Sequence, residues 1–181
     1  SDTKRIVYRA APGDSVEVKG SELVKNWKKH SGSVWKVTLS NSIFKNYNPY
    51  TDLVRGDWFN DKGRVHHTGE VYLNEKSLWE METLKKVHRS NPFKDVYDPE
   101  GSTYTWFCKS DDENTTIYAN FHEADPNQEK VEINVRKTCF YPEKNNIDYL
   151  TIRGFKMCHA ATQWAPPTAE QVGLIGTNWS K

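Results

Sequence analysis

The feature that most constrains the fold is a period-two alternation of apolar and polar residues in many short segments. These segments are rich in β-branched and aromatic residues and are bounded by Gly, Pro, Asn or Asp, as in RIVYRA, SVEVKG, SVWKVTL, GEVYL, YTWFCK, TTIYANF, VEINVRK and DYLTIRGF. Successive side chains of a strand point to opposite faces, so this period predicts half-buried strands. Helical periodicity is scarce, although residues 75–88 have apolar positions spaced for a few helical turns. The sequence therefore predicts an all-β protein.

Two of the alternating segments share one pattern although they lie far apart in the chain. SVEVKG at 15–20 and YLTIRG at 149–154 each place apolar, polar, β-branched and basic residues before a glycine. A strand closed by a glycine corner suits one coil of a parallel β-helix, because the chain must bend sharply before its next strand. We therefore expect Val18 and Ile152 to be close neighbours in stacked coils, with a large insertion between them.

The insertion has the pattern of antiparallel hairpins. One hairpin has a short turn at Asn74–Lys76, and another has a polar loop at Ser110–Thr115 between two alternating strands. Several such strands with inward aromatic residues predict a small antiparallel β-sandwich. The predicted division is a first β-helix coil at 1–22, the inserted sandwich at 23–130 and resumed coils at 131–181, which begin with the VEINVRK strand.

The last residues resemble the start of a further coil rather than a polar cap. Residues 159–181 carry Trp164, Trp179, paired prolines and an apolar run around Leu174. A solenoid needs a polar outer face on its terminal coil. We therefore expect a truncated β-helix, in which the segment after about residue 155 is partly disordered or covered by another chain.

Composition excludes several classes of function. The 25 Lys and Arg residues balance 24 Asp and Glu residues, so a net charge of +1 provides no electrostatic footprint for nucleic acid or an anionic membrane. No run of about 18 apolar residues is present to form a transmembrane helix. Cys108, Cys139 and Cys158 have no C-x-x-C spacing, so we expect free thiols, no metal and no cofactor. Unpaired thiols favour the cytoplasm slightly over the periplasm or export.

Four longer motifs are similar to segments of glycoside hydrolase family 120, the bacterial β-xylosidases. They are VHHTGEVYLN at 65–74, NPY and GDWF within 48–59, DDENTTIYANFHEADPN at 111–127, and RGFKMCHAATQWAPPTAEQVGLIGTNWSK at 153–181. The resemblance runs over nearly all 181 residues, and the WAPPTAEQ string is its most specific part. It implies a right-handed parallel β-helix that is interrupted near its start by a β-sandwich.

The same resemblance implies a retaining, exo-acting enzyme that removes xylose from xylo-oligosaccharides. Such chemistry uses two carboxyl groups about 5–5.5 Å apart, one as nucleophile and one as acid/base. In the family this Asp and Glu lie on later coils, which places them beyond Lys181, so no catalytic residue is assigned within this chain. The expected partners are a xylo-oligosaccharide substrate and further copies of the full-length protein in a homo-oligomer.

Trp58 in the GDWF motif is the first candidate for contact with a sugar. An indole face covers the C–H surface of a pyranose ring with little loss of entropy, and the resemblance implies that a Trp of the sandwich helps to wall the sugar site. A core position within the sandwich is an equally good interpretation. Asp57 is able to accept a hydrogen bond from a sugar hydroxyl, although the Gly-Asp pair is also common in turns, and the turn is favoured.

Two histidines and a second tryptophan complete the candidate substrate-binding residues. His66 and His67 are adjacent, so in a strand they face opposite sides, which argues against a metal pair. We take His66, and His159 on the last predicted coil, as candidates for lining a cleft, against the interpretation of packed or exposed histidines. Trp164, which two prolines follow, forms a stiff ledge for a sugar or for the next coil or subunit.

Two other functional classes stay open. The aromatic-rich sandwich also suits a carbohydrate-binding module that holds xylan without any part in catalysis. A β-helix polysaccharide lyase, or a glycosidase of other specificity, suits the same scaffold. The acidic run Asp111–Asn114 offers oxygen ligands but lacks the spacing of a calcium loop, so it predicts a solvated hairpin tip.

Overall fold

The computed structural model describes residues 4–56, 58–88, 91–164 and 173–176. Within these segments the regular structure is almost entirely β-strand, so the prediction of an all-β protein is confirmed. No helix in the described part of the chain has the length and apolar character needed to cross a membrane.

The strands of the described residues are short. They are β1 (Ile6–Arg9), β2 (Val16–Lys19), β3 (Ser21–Leu23), β4 (Lys28–Ser31), β5 (Val34–Ser40), β6 (Val71–Leu73), β7 (Lys76–Ser77), β8 (Trp79–Glu80), β9 (Thr105–Ser110), β10 (Asn114–Asn120), β11 (Val131–Asn134), β12 (Leu150–Arg153) and β13 (Phe155–Cys158). A helical turn, α1, spans Leu84–Val87, and 3₁₀ turns span Asn41–Phe44 and Gly101–Thr103.

Strands β3 to β11 form two sheets that share one core, and we call this part the two-sheet unit. One sheet has the order β4-β5-β10-β9-β8 and the other has the order β3-β11-β6-β7. The core between them contains Trp106 and Ile117 from the first sheet and Val71 and Ile133 from the second. All four side chains are fully buried, so apolar burial holds the sheets together.

The predicted hairpin around residue 74 is present. Leu73 pairs with Lys76, which leaves Asn74 and Glu75 as a two-residue turn between β6 and β7. Both turn residues have positive φ, +50° and +72°, which is the backbone that a type I′ hairpin requires.

The second predicted hairpin joins β9 and β10 and has a shorter loop than the sequence indicates. Ser110 and Thr115 pair with each other as strand residues. The Asp111 carboxylate accepts hydrogen bonds from the backbone N–H groups of Glu113 (2.9 Å) and Asn114 (2.7 Å). The acidic run is therefore engaged in turn formation, as expected for a hairpin tip.

The helical turns predicted over residues 75–88 are confined to α1, so the prediction is wrong for the first half of this range. The N–H of Trp79 donates to the carbonyl of Tyr104 over 2.8 Å, and this backbone extends the edge of the five-stranded sheet. Leu78 enters the core between the sheets, whereas Met81 packs in a second cluster with α1. The apolar spacing fits both geometries, and pairing with the existing sheet decides between them.

Four strands outside the two-sheet unit form two parallel pairs, β1 with β12 and β2 with β13. Val18 lies opposite Met157 and Ile152 lies opposite Tyr8. Val18 and Ile152 therefore belong to different two-stranded sheets, and the prediction that they stack on each other is wrong. The chain forms two of these strands, β1 and β2, before the two-sheet unit and two, β12 and β13, after it. Gly154 bends the chain between β12 and β13 with a φ of +78°. A local pattern common to all four strands does not specify which of them pair.

Strand β11, within the VEINVRK segment, is an interior strand of the two-sheet unit. It lies between β3 and β6 and pairs antiparallel with both, and all four of its residues are buried. The prediction that this segment resumes the coils is therefore wrong. Val131 and Ile133 face the core between the sheets, and on the other face Glu132 contacts Lys19 of β2, so both faces are covered.

The described C-terminal residues lie beside the segment that precedes β12. The N–H groups of Cys139 and Phe140 contact the carbonyl of Leu174 at 3.0 and 3.1 Å. The predicted disorder or covering after about residue 155 does not extend to β13, which is a regular strand. The rest of that prediction concerns residues 165–172 and 177–181, which lie outside the described residues.

Candidate functional site

Two cavities of different character are relevant to function. The larger, about 670 Å³, lies along β12 and β13 and has a mainly apolar lining that includes Phe140, Ile152 and Leu174. The smaller, about 480 Å³, is an open cleft lined by carboxylates, imidazoles and aromatic rings. Ligand sites combine apolar walls with a few convergent polar groups. The smaller cavity, which we call the carboxylate cleft, is therefore the candidate functional site.

A loop that returns on itself supplies one side of the carboxylate cleft. Leu53 and His67 form an isolated antiparallel bridge, and the N–H of Val54 donates to the carbonyl of His66 over 2.8 Å. Strands β7 and β8 and the residues after β13 supply the other sides. The side chains of this cleft that are able to contact a ligand through aromatic, imidazole or carboxylate groups are Phe59, His66, His67, Glu70, Glu80 and Trp164.

His67 and Glu80 form a close pair at one end of the cleft. The Nδ1 atom of His67 lies 2.5 Å from Oε1 of Glu80, and the backbone N–H of His67 donates to Oε2 over 3.1 Å. The guanidinium of Arg64 donates to the backbone carbonyl of Glu80 over 2.6 Å. These contacts hold the Glu80 carboxylate in one orientation, from which it can accept a hydrogen bond from a ligand.

Cys108 lies behind His67 without forming a nucleophilic pair. Its sulfur is 4.0 Å from Nδ1 of His67, the same nitrogen that contacts Glu80. Burial raises the pKa of the Cys108 thiol to about 12, and the Glu80 charge adds to this effect. A thiol that stays protonated at neutral pH is a poor nucleophile, so this cysteine is structural.

Glu70 is the titratable group of the cleft. Burial raises the pKa of its carboxyl to about 7, and the charge of Glu80 acts in the same direction. The hydroxyls of Ser77 and Thr162 donate hydrogen bonds to this carboxylate and partly offset the effect of burial. Glu70 is therefore able to donate or accept a proton near neutral pH.

A buried amide, Asn134 of β11, positions Glu70. Its Oδ1 accepts a hydrogen bond from the backbone N–H of Glu70 (2.7 Å), and its Nδ2 donates to the carbonyl of Thr68 (2.8 Å). The Tyr50 hydroxyl donates to the Glu70 carbonyl over 2.7 Å. Sequence reasoning missed Asn134, because the alternation of VEIN puts this amide on the same face as Glu132, where polar residues are expected.

Phe59 organises the aromatic rim of the cleft. Its ring centroid lies 5.4 Å from that of His66 and 5.6 Å from that of Trp164. The ring of His66 is held by a contact of 3.0 Å between Nε2 and the carbonyl of Asp61. The structure thus brings together His66 and Trp164, which the sequence selected separately, and their contact with a sugar stays a prediction. Phe59 was missed as a candidate, although it belongs to the same GDWF motif.

Trp58 lies at the tip of the adjacent loop and does not line the cleft. Its side chain is 84% exposed, so the interpretation as a core residue is wrong. The backbone of Trp58 has a φ of +63°, a left-handed conformation that costs energy for a bulky residue. Asp57, the other candidate of this loop, lies outside the described residues.

His159 lies away from the carboxylate cleft, in a charged cluster beside β2. Its ring stacks on Tyr72 with a centroid distance of 3.8 Å and an angle of 10°. Burial and the Lys19 charge lower the pKa of His159, so the imidazole is neutral at physiological pH. The structure does not bring this candidate to His66 and Trp164.

The same cluster contains the described group of side chains that best approaches a metal site. Ligand atoms of Glu75, Cys158 and His159 lie within 4.8 Å of one another. The Lys19 ammonium, however, lies 2.6 Å from Oε1 of Glu75. A positive charge already neutralises this carboxylate, which makes binding of a divalent cation unfavourable.

Comparisons with known proteins were made over the whole chain. The family model described as glycoside hydrolase 120, insertion domain, matches residues 24–133. A solved structure of XylC in complex with xylose is 46% identical and superimposes with a TM-score of 0.92, covering 99% of this chain and 30% of its own. The chain thus spans less than a third of the length of that relative. A comparison with curated protein sequences finds no match. The chain belongs to glycoside hydrolase family 120 and includes the insertion domain of that family.

Proposed function

We propose that this chain is a non-catalytic part of a retaining, exo-acting β-xylosidase that hydrolyses xylo-oligosaccharides. In this proposal the two-sheet unit forms one wall of the substrate pocket and contributes to contacts between subunits. Membership of the family supports the proposal, as does the likeness to XylC, which was solved with xylose. The free thiols of the chain favour a bacterial cytoplasm as its compartment.

The architecture that accompanies this function is a β-sandwich inserted into the first coils of a right-handed parallel β-helix. The two-sheet unit, residues 21–134, corresponds to the sandwich predicted at 23–130, and the strand pairs correspond to the coils before and after it. Support comes from the pairing itself, because each pair joins a strand before the unit to a strand after it in parallel register. Stacked coils of a β-helix require such pairing.

The observation that carries the functional proposal is the position of Trp58. Its indole is 84% exposed on a left-handed backbone, so a large aromatic face is accessible to a ligand or to another part of the protein. It directly precedes Phe59, whose ring belongs to the rim of the carboxylate cleft. A pyranose ring that stacks on Trp58 would therefore lie at the entrance of this cleft.

The polar groups of the cleft suit binding of hydroxyl groups. Glu70 and Glu80 offer acceptors whose orientations are set by Ser77 and His67, respectively. Fixed acceptors beside an aromatic wall bind a sugar through its hydroxyls and its C–H face together. We assign these carboxylates to binding, and we place the nucleophile and the acid/base in the remaining part of the enzyme.

The first test is hydrolysis of p-nitrophenyl β-xyloside. The 181-residue chain alone is expected to release no nitrophenol, whereas the longer protein that contains it should be active. Turnover by the chain alone would contradict the assignment as non-catalytic. In the longer protein, Trp58→Ala should lower kcat/KM about tenfold, which corresponds to loss of roughly 1.4 kcal/mol of contact.

A matched control for Trp58 is Tyr97, whose side chain is fully exposed outside the cleft. Tyr97→Ala should leave kcat/KM unchanged. If both variants behave like the unmodified enzyme, Trp58 takes no part in the sugar site and the proposal loses its main support.

A carbohydrate-binding module is the second candidate function. The specific observation in its favour is that the carboxylate cleft combines aromatic rings with two carboxylates, which is the combination that binds a sugar. Calorimetry of the isolated chain with xylo-oligosaccharides separates the two proposals. A module gives a saturable binding heat, whereas a pocket wall without the rest of its pocket gives none. A lyase or a glycosidase of other specificity would instead be recognised by the products that the longer protein releases from xylan.

A further inference from the structure

A second cleft adjoins the carboxylate cleft at strands β7 and β8. Its volume is about 430 Å³, which is within the range of small-molecule sites. Ser77, Leu78 and Trp79 line both clefts, so a single stretch of chain separates them. Within this stretch the side chain of Leu78 is almost completely buried, whereas that of Trp79 is 36% exposed. Trp79 therefore forms a ridge between two neighbouring clefts.

The indole of Trp79 is held in place before any ligand arrives. Its backbone N–H donates to the carbonyl of Tyr104 over 2.8 Å, and its ring packs against Phe93 with a centroid distance of 5.5 Å. Tyr104, which also lines the second cleft, is held by an edge contact with His122 at 4.5 Å. Aromatic side chains that are already ordered lose little entropy when a ring stacks on them.

The rim of the second cleft is polar. Asn74 and Lys76 come from the β6–β7 hairpin, and Asp98 and Glu100 come from the loop before β9. The Asp98 carboxylate accepts a hydrogen bond from the N–H of Gly101 over 2.9 Å, which fixes its orientation. The rim offers both hydrogen-bond donors and acceptors, and it carries both positive and negative charge. Such a rim around an aromatic wall suits a neutral ligand with many hydroxyl groups rather than a charged peptide.

We propose that the second cleft binds a further sugar ring of the same xylo-oligosaccharide, so that a long substrate passes over the Trp79 ridge from the carboxylate cleft. This inference rests on the proposed function, because it takes the carboxylate cleft as the place where the substrate first binds. In this proposal Trp79, Tyr104 and the polar rim give the enzyme a preference for longer xylo-oligosaccharides. Short substrates occupy the carboxylate cleft and do not reach the second cleft.

The test is the dependence of kcat/KM on substrate length in the longer protein. Trp79→Ala should lower kcat/KM for xylohexaose about five- to tenfold, the effect of losing one stacking contact. The same variant should lower kcat/KM for p-nitrophenyl β-xyloside and xylobiose by a clearly smaller factor, which reflects the part of Trp79 that lines the carboxylate cleft. Trp79→Phe retains an aromatic face and should recover most of the activity towards xylohexaose. An equal loss on short and long substrates, or no loss on either, would overturn the inference.

A second variant protects the test against a folding defect. Lys76→Ala combined with Glu100→Gln removes rim groups that are exposed and lie outside the core. It should lower kcat/KM for xylohexaose, leave xylobiose unchanged and retain the thermal midpoint of the parent protein. The two proposals fail differently: a Trp58→Ala variant that loses no activity contradicts the pocket wall, whereas a missing length dependence contradicts only the second cleft.

Discussion

The ammonium of Lys19 lies 2.9 Å from the carboxylate of Glu132, and this contact joins strand β2 to strand β11 of the two-sheet unit. The side chains are 14% and 6% exposed, respectively, so the pair is largely removed from solvent. Lys19 also contacts Glu75 in the β6–β7 turn at 2.6 Å. Burial opposes the charge of Lys19, but hydrogen bonds to Glu75 and Glu132 outweigh it and raise the pKa of the ammonium. The lysine stays charged and links the strand pairs to the unit.

Replacement of Lys19 by methionine should therefore destabilise the protein. The variant leaves the buried Glu132 carboxylate with only the more distant Lys130 ammonium, at 3.7 Å, as a cation, which costs about 2–3 kcal/mol of unfolding free energy. Urea unfolding measures this loss. The control is Lys156→Met, which breaks an exposed ion pair with Glu17 and should change stability little. Equal effects of the two substitutions would show that burial of the Lys19 contact has no special importance.

Glu70 should make stability depend on pH in the neutral range. Burial raises the pKa of its carboxyl from 4.5 to about 7 in the folded protein. The stability associated with the protonated form is complete below pH 4.5 and is lost as the pH rises through about 7. Relative to the parent, Glu70→Gln should gain about 3 kcal/mol between pH 4.5 and pH 8.5. Urea unfolding at both pH values tests this, with Glu113→Gln at the exposed hairpin tip as control, and a constant difference between parent and variant would contradict it.

Asn134→Leu should destabilise the protein and displace Glu70. The substitution leaves the N–H of Glu70 without its partner beside a fully buried position, whereas the carbonyl of Thr68 keeps the hydrogen bond from the N–H of Thr162 (2.9 Å). One unsatisfied buried group costs about 1–3 kcal/mol, so a loss in this range is expected in chemical unfolding. A loss below about 1 kcal/mol would mean that the surrounding chain repacks and that Asn134 does not hold the cleft.

Gly20→Ala should disturb the junction between β2 and the residues after β13. An added Cβ would lie 2.4 Å from the Cα and 2.8 Å from the backbone nitrogen of Ala160. Because the obstacle is backbone, the chain must move, and we expect a loss of about 2–3 kcal/mol in unfolding free energy. Gly173→Ala is the matched control, since its added Cβ meets nothing within 4 Å. Comparable stabilities of the two variants would contradict this close approach.

The parts of the fold that depend on neighbours in the chain could be predicted from sequence. Alternation located the strands, and the pattern around Asn74 located a hairpin, because both follow from backbone geometry over a few residues. The pairing of Val18 could not be predicted, since the four strands of the parallel pairs have similar patterns. The apolar spacing at residues 75–88 fits a helix and a strand equally well until the edge of the five-stranded sheet is present.

The candidate site shows the same division. His66 and Trp164 were selected from residue type and motif, but they lie 98 positions apart and meet only around Phe59. Trp58 was assigned equally to a core and to a sugar contact, and only its exposure in the folded chain excludes the core. His159 has the same chemistry as His66 and yet lies in the cluster with Lys19. Residue type identifies a chemical group, whereas chain packing assigns its neighbours.

Local pattern by itself determined that this chain forms short strands and tight turns, because side-chain alternation and turn conformation are properties of adjacent residues. Folding in three dimensions decided which strands pair, which carboxylates share a cleft and which of them has a pKa near 7. The physical reason is that burial, hydrogen bonding and charge interactions depend on groups that are distant in sequence. Glu70 acquires its properties from Asn134, Ser77, Glu80 and Thr162, and none of these contacts follows from its place in the GEVYL segment.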